Sequence, residues 1–184
     1  MLRPVRTVAP AELPVTLAEA KAQCRVFHDD DDASLLALVR SAVARLDGRA
    51  GVLGRCLVTQ TWRQDFWAWG TLRLPFPDVQ SAAVTYLDAD GAQQSVAADD
   101  VILRDETVGV VDFVEGWTQP TLEADNRPPV SVTFVAGYGA ASAVPWEIRQ
   151  AILLHVEALY DRTPEDRWRP AYQSLIAGHR LVNL

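Results

Sequence analysis

Between positions 130 and 136 apolar and polar residues alternate. Val130, Val132 and Phe134 fall on one side of an extended chain, Ser131 and Thr133 on the other. A period of two marks a strand with one buried face. Gly137 and Gly139 follow, supplying permissive backbone where the chain has to turn. The period then changes: Ile148, Ile152, Leu153, Val156, Leu159 and Tyr160 recur at three and four residues, the stripe of a helix with a core-facing side. Pro145 fits the first helical position, where a missing N–H costs nothing, and Glu147 places negative charge near the positive end of the helix dipole. This strand, turn and helix form the stretch around which the rest of the chain is organised.

Upstream, residues 1–14 hold three prolines and little periodicity, and read as an extended arm of the kind that packs on a neighbour. Thr16-Leu-Ala-Glu19 matches a capping box and predicts a short helix to about Arg25. The run His28-Asp-Asp-Asp-Asp32 stands where a second helix begins, with Asp31 or Asp32 expected as its cap and the other carboxylates near the dipole. Leu35, Leu36, Val39, Val43 and Leu46 supply that helix's stripe, and Gly48 and Gly51 stop it. From 57 to 114 the period returns to two. Val58, Gln60, Trp62, Gln64 and Phe66 share one face of a strand, and 71–74, closed by Pro75, is expected to pair with it. Segments 83–87 and 93–96 flank Asp88-Ala-Asp-Gly91, a hairpin turn, and 101–103 and 108–114 read as two more strands. A proline-punctuated loop spans 116–129, a polar break spans 163–170, and a last short helix is expected over 171–177. The predicted class is α+β: N- and C-terminal helices forming a small bundle with an inserted antiparallel β-sheet. Its segments are an arm at 1–14, helices at 15–51, the β region at 57–136, helices at 144–177 and a tail at 178–184, in one compact domain.

Composition narrows the classes. With 184 residues, 49% of them hydrophobic, the chain can bury a substantial interior. No run of roughly 18 apolar residues is present, so no membrane partner is expected, and the N-terminus lacks a signal peptide's apolar core, so residence in the cytosol is expected. Two cysteines, Cys24 and Cys56, are too few for a disulfide scaffold and lack metal-ligand spacing, so both are expected to be free and buried. A net charge of −7 argues against gripping nucleic acid by phosphate neutralisation, though an acidic wall that DNA slides past is compatible with it.

Candidate chemistry is sparse. His28 with Asp29 to Asp32 carries ligand types, but consecutive aspartates cannot all converge on one ion, and the glycine-punctuated alternation of a calcium loop is absent. Ser174 with His155 or His179 and an aspartate could be drawn as an acyl-transfer triad, without the nucleophile elbow that would support it. Gly137-Tyr-Gly139 lacks the spacing and lysine of a phosphate loop. No catalytic residue, cofactor or metal is therefore expected. Of six tryptophans, Trp62 fits a strand core, whereas Trp67, Trp69, Trp117, Trp146 and Trp168 fall at element ends or in loops, as core lids or contact anchors.

Phe134-Val-Ala-Gly-Tyr-Gly139 followed by Val144-Pro-Trp-Glu-Ile-Arg-Gln-Ala-Ile-Leu-Leu154 resembles the C-terminal signature of the head–tail connector, or adaptor, proteins of long-tailed phages and gene transfer agents. Val15-Thr-Leu-Ala-Glu-Ala-Lys-Ala-Gln-Cys-Arg-Val26, the acidic run and the long second helix resemble that family's N-terminal half. The blocks stand in family order at opposite ends of the chain. Leu46-Asp-Gly-Arg-Ala-Gly51 departs from the pattern, which more often has an aromatic and a Thr-Gly pair there. The resemblance implies a non-enzymatic structural protein of the particle neck. It implies as partners the chain itself, in a dodecameric ring, a portal protein, a stopper or other tail-completion protein, and DNA passing through the channel without sequence-specific binding. Before assembly it implies the bacterial cytoplasm. On this reading Trp168, Arg169, Tyr172, Leu175, Ile176, Arg180 and Leu181 form a candidate portal or subunit interface, in a segment ordered by docking; the alternative is a last helix packed on its own subunit. The rival function is a small-molecule-binding or hydrolytic α+β domain, a monomer with an enclosed polar pocket.

Overall fold

The computed structural model describes residues 2–125 and 127–181. Its order is β1 (Val5–Val8), α1 (Leu17–Cys24), α2 (Asp32–Leu46), β2 (Gln60–Phe66), β3 (Leu72–Arg73), β4 (Val79–Leu87), β5 (Gln93–Ser95), β6 (Val101–Asp105), β7 (Gly109–Phe113), β8 (Val130–Ala136), α3 (Trp146–Tyr160) and α4 (Glu165–Ala177). The class is α+β, with both sheets antiparallel. The chain divides into a β unit, Met1–Pro10 with Thr59–Gly137, and a helical unit, Ala11–Val58 with Tyr138–Leu184.

In the β unit a five-stranded sheet has the order β1-β2-β8-β4-β5. The alternation at 130–136 places β8 at its centre, with Phe134 opposite Trp62 and Val132 opposite both Gln64 and Val84. Val130, Val132 and Phe134 are fully buried, and Phe76 packs its ring against Trp62 (4.9 Å) and Phe134 (6.3 Å). Asp88 makes the β4–β5 hairpin as expected: its Oδ1 accepts the N–H groups of Asp90 and Ala92, and Gly91 takes φ 76°.

Two strand expectations are corrected. The short strand β3 pairs with β7, not with β2, in a second sheet of order β3-β7-β6. Both edges of β2 are already taken, by β8 and by β1. The residues read as a loose arm supply β1, held by Thr7 Oγ1 donating to the Thr61 carbonyl (3.2 Å) and by Gln64 Nε2 donating to the Leu2 carbonyl (2.6 Å).

In the helical unit, the capping box of α1 is formed: the Glu19 N–H donates to Thr16 Oγ1 (3.1 Å) and the Thr16 N–H donates to Glu19 Oε2 (2.7 Å). Leu35, Val39, Ala42, Val43 and Leu46 of α2 pack with Ile148, Ala151, Ile152 and Val156 of α3 in one core. Pro145 is the residue just before α3, not its first position, and Leu159 turns outward while Ala151, His155 and Ala158 complete the buried face. The last helix begins at Glu165, six residues earlier than its apolar pattern suggested, and carries Pro170 inside it. Proline deprives the carbonyl four residues back of its donor. Here that carbonyl belongs to exposed Asp166, where water can serve it.

Ile152→Asp should abolish cooperative folding, because a charge placed in this core costs several kcal/mol against a total stability of about 5–15 kcal/mol. Circular dichroism melts test this; a transition at the wild-type temperature would mean that the core face of α3 lies elsewhere.

Candidate assembly surfaces

The acidic run is used differently from the expected helix cap. Asp31 precedes α2 at φ −97°, ψ 2°, without a side-chain cap bond; its carboxylate accepts the Tyr160 hydroxyl instead (2.6 Å). Lys21 reaches Asp29 (2.6 Å) and Asp32 (2.7 Å), and the hydrogen bond to Asp29 is the main cause holding its ammonium pKa above the ordinary value. The run therefore ties the ends of α1 and α3 to the start of α2. Among the described residues no cluster of three or more His, Cys, Asp or Glu side chains is arranged to hold a metal, and no helix is long and apolar enough to cross a membrane.

The sequence-predicted C-terminal set divides. Tyr172 and Ile176 are buried in the chain's own core, so they are not free to anchor a partner. Trp168 is half-buried, stacked on His155 at 4.8 Å and meeting Tyr172 edge-on at 5.4 Å. Leu175 and Leu181 are half-buried, and the Leu181 N–H donates to the Leu53 carbonyl (2.8 Å). Arg169, paired with Glu165 at 3.1 Å, and Arg180 are exposed. In the isolated chain the segment is a formed helix packed on its own subunit. Of the expected tail, residues 182–184 lie outside the described residues.

The residues of the drawn triad lie in different surroundings. Ser174 is exposed on α4, His179 faces Glu147 at 3.7 Å, and His155 is buried on α3. Burial lowers the His155 pKa, with Arg45 adding to the shift and Glu165 opposing it. Neither cysteine is in a disulfide; Cys56 is buried, but Cys24 is only half-buried, its thiol pushed up to about 11 by burial and by Asp161 and Glu157. Gly137 and Gly139 take φ 131° and 128°, as a turn requires, and the hydroxyl of Tyr138 accepts from Arg55 Nη1 (2.6 Å).

On the polar face of the five-stranded sheet lies a cleft of about 480 Å³ whose lining includes Arg63, Asp65, Tyr86, Arg127, Ser131 and Thr133. Its charges neutralise one another: Arg63 grips both Asp65 oxygens, Ser131 Oγ donates to Asp65 (2.8 Å), and Arg127 grips Glu123. Trp69 meets Tyr86, Phe113 and Trp117 edge-on and donates its Nε1–H to the Pro120 carbonyl (2.9 Å), so these half-buried aromatics act as a lid over the β unit. Trp146 (67% exposed), Trp67 and Phe27 (91% exposed) are the uncovered aromatics. Phe27 carries no periodic signal and was not singled out by the sequence; only its exposure marks it.

Removing every residue after Pro170 should lower the melting temperature by 10 °C or more, because the loss of Ile176 alone costs about 2–5 kcal/mol and Tyr172 goes with it. An unchanged melt would show that α4 is dispensable to the core. A second expectation concerns pH. The unfolded chain protonates His155 at a higher pH than the folded chain does, so stability should fall as pH drops below about 6.5. Melting temperatures measured from pH 7 to pH 5 should fall less steeply in His155→Phe than in wild type; equal slopes would mean that His155 protonates freely in the fold.

No protein-family model matches the chain, and no curated protein matches it. Solved structures do. A chain of the structure described as the neck of an empty GTA particle, computed with C6 symmetry, is similar at TM-score 0.79 and 23% identity, over 100% of this chain and 97% of that one. A chain of the virion of a native gene transfer agent particle gives TM-score 0.77 and 24% identity over the same shares. A chain from the neck of a native GTA particle, computed with C12 symmetry, gives 0.68 and 23% over 97% of each. This chain therefore has, from end to end, the fold of a chain found in the neck of gene transfer agent particles.

Proposed function

We propose that the chain is a structural head–tail connector (adaptor) subunit, which forms a ring beneath the portal of a tailed phage or gene transfer agent particle. In that ring it joins the DNA-filled head to the stopper and tail and lines part of the DNA channel. The observation that carries this reading is the fold match of nearly the whole chain to nearly the whole of a neck chain, in an assembly computed with rotational symmetry. The two sequence blocks of the resemblance fall on structured parts of that fold, on α1 and on the stretch from β8 to α3. The rival catalytic reading has less support, since Ser174 is exposed, His155 is buried beside Trp168 and Tyr172, and His179 faces Glu147.

The mechanism is interface geometry. Copies related by rotation meet through two different faces, and such a heterologous contact closes into a ring when the angle allows. The net charge of −7 suits a channel wall that does not hold DNA through its phosphates. Portal contact falls to the exposed part of the C-terminal set, Arg169 and Arg180 with the uncovered edges of Trp168, Leu175 and Leu181; Tyr172 and Ile176 support α4 from inside. Stopper and DNA are the further partners, the particle neck is the final location, and the bacterial cytoplasm is the location before assembly.

Electron microscopy of the purified protein mixed with its portal should reveal a ring seated on the portal. The double variant Arg169→Glu, Arg180→Glu should keep the wild-type melting temperature and lose co-purification with portal at least tenfold. A monomer that never associates with portal would overturn the reading, and a variant that binds normally would remove these arginines from the interface.

A further inference from the structure

Three segments of the helical unit bring arginines together. Arg45 stands in the last turn of α2, Arg49 in the loop that follows it and Arg180 just past the end of α4, and all three are exposed. Main-chain bonds join these segments: the Val52 N–H donates to the Arg45 carbonyl (2.9 Å), and the Leu181 N–H donates to the Leu53 carbonyl (2.8 Å). Arg45 and Arg180 also act on the same buried phenol, that of Tyr172; burial raises its pKa, and Arg45, with Arg180, opposes the rise. Elsewhere on the surface Arg127 holds Glu123 and Arg169 holds Glu165. Among the described residues no carboxylate pairs with Arg45, Arg49 or Arg180, and the phenol beside Arg45 is neutral. The neighbouring acids are engaged otherwise: Asp47 Oδ1 accepts the Leu57 N–H (2.8 Å), and Glu147 faces His179 (3.7 Å). A cation in the last turn of α2 suits the negative end of the helix dipole, which accounts for one arginine and not for three. Val52, 43% exposed, adds an apolar contact to the patch.

We infer that this patch receives a short acidic segment of a partner protein, its carboxylates on Arg45, Arg49 and Arg180 and one of its apolar side chains on Val52. The inference rests on the portal reading above and deepens it: Arg180 already stands in the portal-facing set, Arg45 and Arg49 widen that set onto α2, and the segment belongs to the portal. The chemistry of the occupant follows from charge complementarity. A guanidinium meets a carboxylate through two parallel hydrogen bonds, and exposed arginines without such a partner are free to make them. The net charge of −7 opposes the approach of a long polyanion, whose charge continues past the patch, more than that of a segment a few residues long. A phosphate backbone also has nothing apolar to offer Val52. Charges at an exposed patch of this kind orient the partner and speed its arrival more than they hold it, so the contact is sensitive to salt.

Binding tests the inference. The full chain is titrated at low salt into a labelled peptide of glutamates carrying one phenylalanine, and into a labelled DNA duplex of equal charge, with fluorescence anisotropy as the readout. Co-purification with portal is measured in parallel. The double variant Arg45→Gln, Arg49→Gln should weaken peptide and portal binding about tenfold, and added salt should weaken both in wild type several-fold. Val52→Asp should weaken both, and Arg45→Lys should keep most of the binding. Arg49→Gln alone leaves Tyr172 its neighbour, so it carries the test should the double variant fold poorly. Arg73→Gln, at an exposed arginine of β3 that likewise holds no carboxylate, should change neither. Portal binding at wild-type strength in the double variant would overturn the inference and leave the portal reading standing. Peptide bound through these arginines by a protein that never associates with portal would uphold the acidic partner and defeat the portal reading. An equal loss in Arg73→Gln would make net charge the cause and overturn the inference. So would DNA bound more tightly than peptide through Arg45 and Arg49, or self-association that needs them.

Discussion

β8 lies at the centre of the larger sheet, and its two edges are occupied by β2 and β4 along nearly its whole length. A strand held on both sides and buried on one face has a single tolerable register. A slip by one residue would drive Ser131 and Thr133 into the core and expel Val132 and Phe134. The same constraint reaches the N-terminus. Gln60 and Gln64 lie on the buried face of β2, and a buried amide without a partner is expensive. Gln64 Nε2 donates to the Leu2 carbonyl and Gln60 accepts from Arg6 (3.3 Å), so residues 2–8 supply one partner to each amide, while Gln64 Oε1 stays buried without a hydrogen-bond partner. The arm is a strand, paired along β2 and tied to it by these side-chain bonds.

The helical unit depends on a comparable tie. The guanidinium of Arg149 donates to the Pro14 carbonyl (3.0 Å) and pairs with Glu19, the residue that also closes the capping box. One carboxylate thus serves a helix end and a contact between helices, and the Thr16 N–H is the largest cause of its lowered pKa. Gln23 donates to Glu157 (2.6 Å) and Tyr160 to Asp31, which continues the polar rim toward the other end of α3. Inside the rim the core is aliphatic, closed on the α4 side by Tyr172 and Ile176.

These commitments decide which side chains remain exposed. Side chains spent on the subunit's own core are unavailable for docking. What is left includes isolated aromatics such as Phe27 and Trp146 and the outer side of α4 with its arginines.

What the sequence determined by itself was local. The capping box at Thr16 and Glu19, the alternation that made β8 a half-buried strand, the Asp-Gly turn after β4 and the apolar faces of α2 and α3 each depend on a few neighbouring residues. Their physics is complete within one turn or one hairpin. The two blocks that carried the resemblance lie on α1 with α2 and on the stretch from β8 to α3. Tertiary structure decided the rest. Which strand Leu72 and Arg73 would join was settled by β2 having no free edge. Asp31 found Tyr160, a residue 129 positions away, and gave up the cap that local pattern offered it. Pro170 lies inside a helix at a point where the residue whose carbonyl it orphans, Asp166, is exposed. In the candidate interface, an apolar stripe on a helix reads the same whether it meets its own core or a partner; only the packing around Tyr172 and Ile176 shows which of the two buried them.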